Sequence, residues 1–599
     1  MIEENVQILS IENDCLWVEG IQRSADYETE SQNYYNLHGY TKTWLCYIEN
    51  LMDDDDNFLC IDIEVFIEFV LKRFRKTRKN QYVYFHNLGF DGTFIMYALN
   101  KMGIDFESVI NENRNIYEIK IYSKNRKRYV SFRCSYMIFM CSVSALPGST
   151  KSVIDYMRIR DYNSIKDATK HEKYYIKQDV KTVKRNLISL MDIYGVKLNG
   201  RFKTNASISY KEIKKLSGIN LAQRGYEWNV LMPKLPFAID SYIRNGYNGG
   251  FTYLNPKWKE VDIRKLLVSY DMVSSYPTSQ RNDFLPYGEP EMKSKLSQRD
   301  IDNDLLYMVR LKIYKAKIKD GLMPFISTNR MMKYILDDIY MEEIEKVVIT
   351  VTSVDFQMIK EYYDIEYSVL DYCVFPMKAK GIFNEYIDKH FKIKSDCKKE
   401  LETCTDEARI IELQFLIFIS KLRINSAYGK FGTNPLMTSL VPSFEDEILK
   451  YTKEESCKEE TIFYLPVATF ITAYRRKALI DVIQLNADRF VYCDTDSVKL
   501  IGTDAPTGAI LGKGLGEWDY EYTAVRSKFM KSKQYIHEIL YDGIGPNELK
   551  RTVASMSRTQ HKRVNFENCV VGHTFVGGKK QGKSVKGGKI IIDGPFTFT

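Results

Sequence analysis

The chain has 599 residues, of which 44% are hydrophobic, 27% charged and 13% aromatic, and its formal net charge is +8. That length exceeds what one hydrophobic core supports, so two or more domains are expected. The 11 Cys are scattered without a Cys-x-x-Cys pair and there are only 7 His, which argues against a zinc site or a disulfide framework and fits a reducing cytoplasm. No basic stretch leads into an apolar signal core at the N-terminus, and the apolar run "LQFLIFIS" is too short to span a bilayer.

The first ~200 residues alternate strand-like runs ("KTWLCYI", "QYVYFHNL") with a helix-like run ("IEVFIEFVLKRFRK"), the pattern of an α/β domain. Acids and amides punctuate it. "ADYETE" carries Asp26, Glu28 and Thr29; "YFHNLGFDGTFI" carries Asn87, Asp91 and Phe94 just after a strand; "YYIKQDV" sets Tyr175 and Asp179 four apart on one helical face. The basic patches "LKRFRKTRKNQ" and "SKNRKRY" each read as a solvated face. A turn-rich stretch, "RNGYNGGFTYLNP", holds Tyr247, Gly249 and Gly250 and leads to "KLLVSYDMVSSYP", an apolar strand ending in Asp271. A charged, helix-patterned stretch from about 384 to 430 ends in "KLRINSAYGKFG", where Lys421, Asn425 and Tyr428 fall on one face. Because "FLIFIS" precedes it, that helix is half buried and its polar face is selected rather than incidental.

Further on, "YCDTDSV" (492–498) places Asp494 and Asp496 two apart inside an otherwise β-like run. Asp is a good turn residue, so a hairpin turn is one reading. A divalent-metal site is the other, since hard cations such as Mg²⁺ want carboxylate oxygens. Asp271, from a second segment, supports the metal reading: a two-metal site clamps the attacking and leaving oxygens of an in-line phosphoryl transfer and draws its acids from more than one segment. Lys421 would then neutralise a triphosphate, and a Tyr would pack on base or sugar. Asp26, Glu28, Asp91 and Asp179 with Tyr175 make a second set able to hold metals and orient a water. A mildly basic chain with 43 Tyr suits nucleic acid, where cations meet phosphates and rings stack on bases.

In this order the residues resemble family B DNA polymerases, specifically the protein-primed subgroup of small tailed phages and linear plasmids. Asp-x-Glu, Asn-x-x-x-Asp and Tyr-x-x-x-Asp resemble the three motifs of the 3′→5′ exonuclease; "DMVSSYP", "KLRINSAYG" and "YCDTDS" resemble polymerase motifs A, B and C. "GYNGGF" resembles the Tyr-x-Gly-Gly element and "KSKQY" the Lys-x-Tyr motif, while "FHNLGFDG", "LPYGEP" and the tail "IIIDGPFTFT" also match the subgroup. The resemblance implies a multidomain α/β and α+β fold: a right-hand polymerase with palm, fingers and thumb and an N-terminal ribonuclease H-like exonuclease domain. It further implies that Asp271, Asp494, Asp496 and the Met272 carbonyl bind polymerase metals, Mg²⁺ or Mn²⁺, with a second metal set in the exonuclease domain. Tyr276 would exclude a 2′-hydroxyl, Lys394 and Lys421 would meet the triphosphate, and Asn425 and Tyr428 would line the nucleotide pocket. Lys533 and Tyr535 would grip the primer end, and Tyr247, Gly249 and Gly250 would contact DNA. Asp26, Glu28, Asp91 and Asp179 would be exonuclease ligands, Tyr175 would orient the water, and Thr29, Asn87 and Phe94 would hold the frayed strand. Ser275 and Ala427 stand where the family usually has Leu, which bears on local packing. Between Lys151 and Asp179 the match is poor; Arg158, Arg160 and Asp161 are candidates there without assignment.

The expected division is exonuclease 1–225, palm 226–325 and 467–554, fingers 381–431 and thumb 555–599, with insertions at 326–380 and 432–466. By position the insertions resemble the two terminal-protein regions of the subgroup, and the second, with apolar–polar runs flanking a charged middle, fits a protruding hairpin. The implied enzyme copies linear DNA from a protein primer with strand displacement and proofreading. Its partners would be template and primer DNA, dNTPs and a terminal protein, with which it would form a heterodimer if it is not a monomer, in the cytoplasm of a host. The alternatives are a family B polymerase using only nucleic-acid primers, a catalytically silent DNA-binding relative, and a nuclease with a vestigial polymerase half. Intact motifs and complete acid sets weigh against the last two, because clustered acids repel DNA unless metals are present.

Overall fold

The computed structural model describes residues 14–23, 34–77, 79–150, 159–200, 203–223, 227–295, 297–327, 340–543, 545–546 and 548–599. Asp26, Glu28, Thr29 and Arg158 lie outside the described residues.

Near the N-terminus, β2 (Thr43–Asn50) is buried along almost its whole length, as its run of large apolar residues requires. It belongs to a seven-stranded sheet with β1 (Asp14–Arg23), β3 (Asp53–Cys60), β4 (Asn80–Phe85), β5 (Glu107–Ile110), β6 (Ile116–Tyr122) and β7 (Tyr129–Cys134), in the order β3-β2-β1-β4-β7-β6-β5. Only β1–β4 and β4–β7 are parallel. Helices Ile63–Lys76 and Leu88–Lys101 cover one face with an apolar core, and the long helix Lys170–Tyr194 covers the other. The sheet edge β3 carries "DDDDNFLC", a sequence with poor strand propensity. Asp54 there reaches Lys184, and Asp56 pairs with Arg73.

A second sheet runs β23 (Leu549–Val553), β22 (Gln534–Tyr541), β21 (Trp518–Lys531), β10 (Leu267–Met272), β20 (Ser497–Ile501), β19 (Phe490–Asp494), β8 (Thr252–Leu254), with β9 (Asp262–Ile263) beside β21. The helix Leu465–Leu485 packs beneath it through Leu479, Ile480, Val482 and Ile483. A third sheet, β12 (Glu291–Lys293), β15 (Tyr363–Phe375), β13 (Leu306–Ile318) and β14 (Glu343–Thr352), contains the β-rich text "EKVVITVT". The short pair β11 (Leu285–Tyr287) and β16 (Met377–Ala379) lies beside the same helix. Two helices, Asn384–Leu401 and Glu407–Ser426, pack on each other and on Asn205–Gln223.

Two hairpins reach from these parts to the N-terminal sheet. β17 (Leu436–Glu445) and β18 (Ile448–Cys457) are joined through Asp446 and Glu447, both at left-handed φ (49° and 61°), the two-residue turn whose twist matches paired strands. The hairpin is docked rather than free: Leu440 and Leu449 enter the N-terminal core and Arg114 lies 5.6 Å from the Tyr451 ring. The second hairpin, β24 (Thr574–Val585) and β25 (Gly588–Thr597), turns at Lys586–Gly587. The Thr41 N–H donates to the Lys586 carbonyl at 2.9 Å, and Lys586 pairs with Glu447 of the first hairpin. Both tips therefore meet on one edge of the N-terminal domain. A Cβ at Gly587 (φ +93°) would stand 1.8 Å from the Thr41 carbonyl oxygen, so only glycine permits this approach. Gly587→Ala is expected to undock the C-terminal hairpin while leaving the three larger sheets folded. Faster amide exchange in 574–597 with an otherwise unchanged exchange map would show it.

Candidate active site

The hairpin-turn reading of "YCDTDSV" is realised. β19 ends at Asp494, Thr495 and Asp496 make the turn, and β20 starts at Ser497. Thr495 takes φ +65°, a conformation costly for a β-branched residue. It is held by its N–H, which donates to the Phe251 carbonyl at 2.7 Å, and by Gly250, where a Cβ would come within 2.6 Å of the Thr495 side chain. This is why the Asn248–Gly250 turn needs a glycine at its second Gly; at Gly249 a Cβ would meet nothing within 4 Å. The Met272 N–H donates to the Asp496 carbonyl at 2.8 Å, so the end of β10 is tied to the turn and Asp271 is set beside Asp496.

These acids are short of counter-charge. Burial, then the neighbouring Asp496 and Glu521, push Asp271 up to about 7, with Lys499 and Lys421 pulling the other way. Burial, then Asp494 and Glu521, push Asp496 up to about 6. Asp494 is turned aside. It accepts from the Thr252 hydroxyl at 2.9 Å, from Tyr492 at 3.4 Å, and lies 3.4 Å from Lys533 Nζ. Among the described residues no group of three His, Cys, Asp or Glu side chains forms a ready cluster for a metal ion. Hard oxygen donors, a backbone carbonyl at Met272 and an unbalanced negative charge nonetheless fit a divalent cation, because Mg²⁺ is normally held by one or two carboxylates with the substrate phosphates supplying the rest.

Around the acids the helix Glu407–Ser426 leaves Lys421 and Asn425 exposed and buries Arg423 and Ile424 on its other side. Arg423 is anchored there by Glu212 at 2.5 Å. Tyr428, expected on the same helix, instead opens a 3₁₀ turn (Tyr428–Lys430) after the helix stops at Ser426. Ser426 Oγ donates back to the Leu422 carbonyl at 2.6 Å, and Asn205 Nδ2 donates to the same carbonyl at 3.1 Å and to Ser426 Oγ at 2.5 Å, which competes with helix continuation. The turn stacks Tyr428 on Tyr276 with centroids 4.3 Å apart. Tyr247 packs against Gly432, where a Cβ would come within 2.6 Å of its hydroxyl. Lys394 Nζ lies 3.4 Å from Ser274 Oγ, and burial, then Lys398 and Lys421, pull it down to about 8. The Lys533 N–H donates to Tyr492 Oη at 3.0 Å, and the Tyr535 ring lies 5.4 Å from that of Tyr492. Ser275 and Ala427, the two departures noted from sequence, are both buried.

The N-terminal set is only partly in view. Asp91 is buried on the helix Leu88–Lys101 and Asn87 precedes it at φ 73°. Tyr175 and Asp179 share the helix Lys170–Tyr194; Tyr175 is fully buried, and both of these side chains and Asp91 have interaction partners. Phe94 is fully buried and stacks on Phe90 at 5.8 Å, so as placed it supports the helix rather than offering its ring to a strand. Arg160 is locked in a buried pair with Glu172 at 2.5 Å, and Asp161 in a half-exposed one with Lys42 at 2.6 Å. Sequence reading missed Glu521 and Lys499. The signal for Lys499 was a lone cation in the buried strand "SVKLI", on the same face as Ser497.

Residues 148–508 match the family described as DNA polymerase type B, organellar and viral. The DNA polymerase of Bacillus phage M2 is 30% identical over 563 residues, covering 86% of this chain and 90% of that protein. That of Bacillus phage phi29 is 28% identical over 598 residues, covering 93% and 96%. The solved phi29 DNA polymerase complexed with primer-template DNA and incoming nucleotide superposes with a TM-score of 0.83 at 26% identity, covering 98% of this chain and 100% of that chain. The chain belongs to the type B DNA polymerases of the organellar and viral kind. It has their right-hand architecture and is a DNA-directed DNA polymerase, a class that works on DNA and dNTPs with divalent metal. Among the described residues no helix is long and apolar enough to cross a membrane.

Both raised carboxyls hold their proton to higher pH in the folded chain than in the unfolded one. Folding therefore loses stability as pH rises from the ordinary value of 3.8 through about 6 for Asp496 and about 7 for Asp271. Asp271→Asn is expected to melt higher than wild type in chelator at about pH 8, with a gain that shrinks toward about pH 5. Adding Mg²⁺ should raise the melting temperature of wild type at the higher pH by more than that of the variant.

Proposed function

We propose that this chain is a protein-primed replicative polymerase with an editing exonuclease, and that Asp271 and Asp496 are the acids of its polymerising site. The pairing of these two half-buried carboxyls at adjoining strand ends is the observation that carries the reading. Divalent ions held by Asp271, Asp496 and the Met272 carbonyl, with Asp494 alongside, would stabilise charge on the attacking and leaving oxygens.

The chain's own residues account for the remaining requirements. Lys421 and Lys394 converge on the acids from the two packed helices and would neutralise the triphosphate as it enters. Tyr276, fixed by its stack on Tyr428, presents a flat wall against the incoming sugar and leaves no room for a 2′-hydroxyl. Asn425 on the exposed helix face and Tyr428 complete the nucleotide pocket. Lys533 and Tyr535 hold the primer end over Asp494. Asp91 and Asp179, with Asp26 and Glu28, would serve the editing site, Tyr175 positioning its water. Asn87 and Thr29 would hold the frayed strand, with Phe94 beneath. The domain division drawn from sequence is the working one: sheet and helices of 1–225 as exonuclease, the second sheet as palm, 381–431 as fingers, 555–599 as thumb. The 326–380 segment would bind the terminal protein. The 432–466 hairpin, meeting the C-terminal hairpin at Glu447–Lys586, would close around DNA.

Asp271→Ala and Asp496→Ala are each expected to lower nucleotide addition by at least about a hundredfold and to leave degradation of single-stranded 3′ ends near wild type, since the two sites use different acids. Asp26→Ala with Glu28→Ala should give the reverse pattern. Primer extension and end-trimming assayed on the same preparations separate the two. Tyr276→Val should raise ribonucleotide incorporation in a competition assay; unchanged selectivity would place the sugar filter elsewhere. With a cognate terminal protein and Mg²⁺, transfer of a first deoxynucleotide to a Ser, Thr or Tyr hydroxyl is expected. Deleting 432–466 should cost processivity and strand displacement more than single-nucleotide addition.

A further inference from the structure

Lys499 is a buried cation in an unusual place. It lies on β20 opposite Ser269 of β10 and Tyr492 of β19, three residues past Asp496, and is only 2% exposed. An ammonium out of water is costly unless something replaces its hydration. Here three tyrosine rings do so: Nζ is 5.5 Å from the Tyr492 centroid, 5.5 Å from Tyr535 and 6.0 Å from Tyr522, a box of ring faces favourable to a desolvated cation. Burial pulls Lys499 below the ordinary lysine range, and the facing charges Glu521, Asp494 and Asp271 work against that and favour the cation; Lys550 opposes it as a like charge, while His537 is held neutral by burial. Glu521 is held in place by the Ser269 hydroxyl, which donates to it at 2.6 Å.

Two walls of the box also belong to the primer side of the site. Tyr492 stands between Asp494 and the Lys533 backbone, donating to the first at 3.4 Å and accepting from the second at 3.0 Å. Tyr535 packs on Tyr492 and on Phe529, each with centroids 5.4 Å apart. We propose that Lys499 is a positioning residue of the polymerising site: clamped among Tyr492, Tyr522 and Tyr535, its ammonium fixes the two rings from which Asp494 and the Lys533–Tyr535 turn are held, and so sets how firmly a primer 3′ end is seated. Lys499 itself does not touch primer or nucleotide. The inference rests on the reading of Lys533 and Tyr535 as primer contacts.

The test uses the full chain with a matched primer–template. Lys499→Met keeps length and apolar volume and removes the charge. It is expected to raise the primer–template concentration for half-maximal extension by about tenfold and to increase the ratio of end degradation to extension, while the KM for dNTP stays within about twofold. Lys499→Arg, which restores a cation able to sit on ring faces, should recover most of the loss. Tyr492→Phe keeps the box but cuts the hydroxyl between Asp494 and Lys533, and should give the same primer-selective defect whether or not the Met variant folds. An unchanged primer response in Lys499→Met or in Tyr492→Phe, or a dNTP defect as large as the primer defect, overturns the proposal. Tyr535→Ala separates the layers: if it leaves primer affinity intact, the primer-contact reading fails. If it weakens primer affinity while Lys499→Met does not, only the role of Lys499 fails.

Discussion

Bringing two carboxyl groups together out of water is the constraint on which the rest of this site depends. Asp271 and Asp496 are pushed above the ordinary carboxylate range by burial and by neighbouring acids, Asp496 and Glu521 for the first and Asp494 and Glu521 for the second, and an arrangement of that kind relaxes unless the backbone forbids it. Here the backbone does forbid it. The turn between β19 and β20 is forced into a left-handed Thr495, pinned by the Phe251 carbonyl and by a glycine that admits the Thr side chain, and tied across to Met272. Strain and charge repulsion are both maintained by packing from elsewhere, chiefly the helix Leu465–Leu485 beneath the sheet. The site is a preorganised deficit of positive charge, and its natural complement is a divalent cation with a triphosphate.

The surroundings grade that deficit. Lys421 and Lys394 approach from the helices on one side, where a nucleotide would arrive, while Lys533 stands by Asp494 on the other, where a primer end would lie. Lys499 sits beneath. Cations are thus available from three directions, yet among the described residues only Lys533 comes within ion-pair distance of one of the motif acids, and that acid is the one turned aside. At larger scale the two hairpins act together: the tip of each would be an exposed loop alone, but Glu447 meets Lys586, Leu440 and Leu449 enter the N-terminal core, and the Thr41 N–H holds the Lys586 carbonyl.

Much of this was legible from sequence where physics is local. The apolar runs 43–50, 63–76 and 80–85 announce their strand and helix states. The charged middle of 436–457 announces a hairpin, and Asp271, Asp494 and Asp496 are conspicuous because acids do not belong in buried strands. What was illegible depends on tertiary context. "DDDDNFLC" forms an edge strand because Lys184 and Arg73 wait for it. Tyr428 leaves the helix because Asn205, more than two hundred residues earlier, takes the Leu422 carbonyl. Asp494 and Asp496 are equivalent in the motif, yet only the fold turns one toward Asp271 and the other toward Lys533. Lys499 was overlooked because a cation in a strand reads as solvent-facing, whereas three rings from three strands enclose it.

The central claim is that Asp271 and Asp496 together form the metal-holding heart of the polymerising site. Its most direct test is the anomalous scattering of Mn²⁺ in crystals of the chain with primer–template and a non-hydrolysable dNTP. The account predicts a Mn²⁺ peak bridging the Asp271 and Asp496 carboxylates and the triphosphate. Nucleotide bound in the cleft with Mn²⁺ only elsewhere, and the two carboxylates bare, would contradict it.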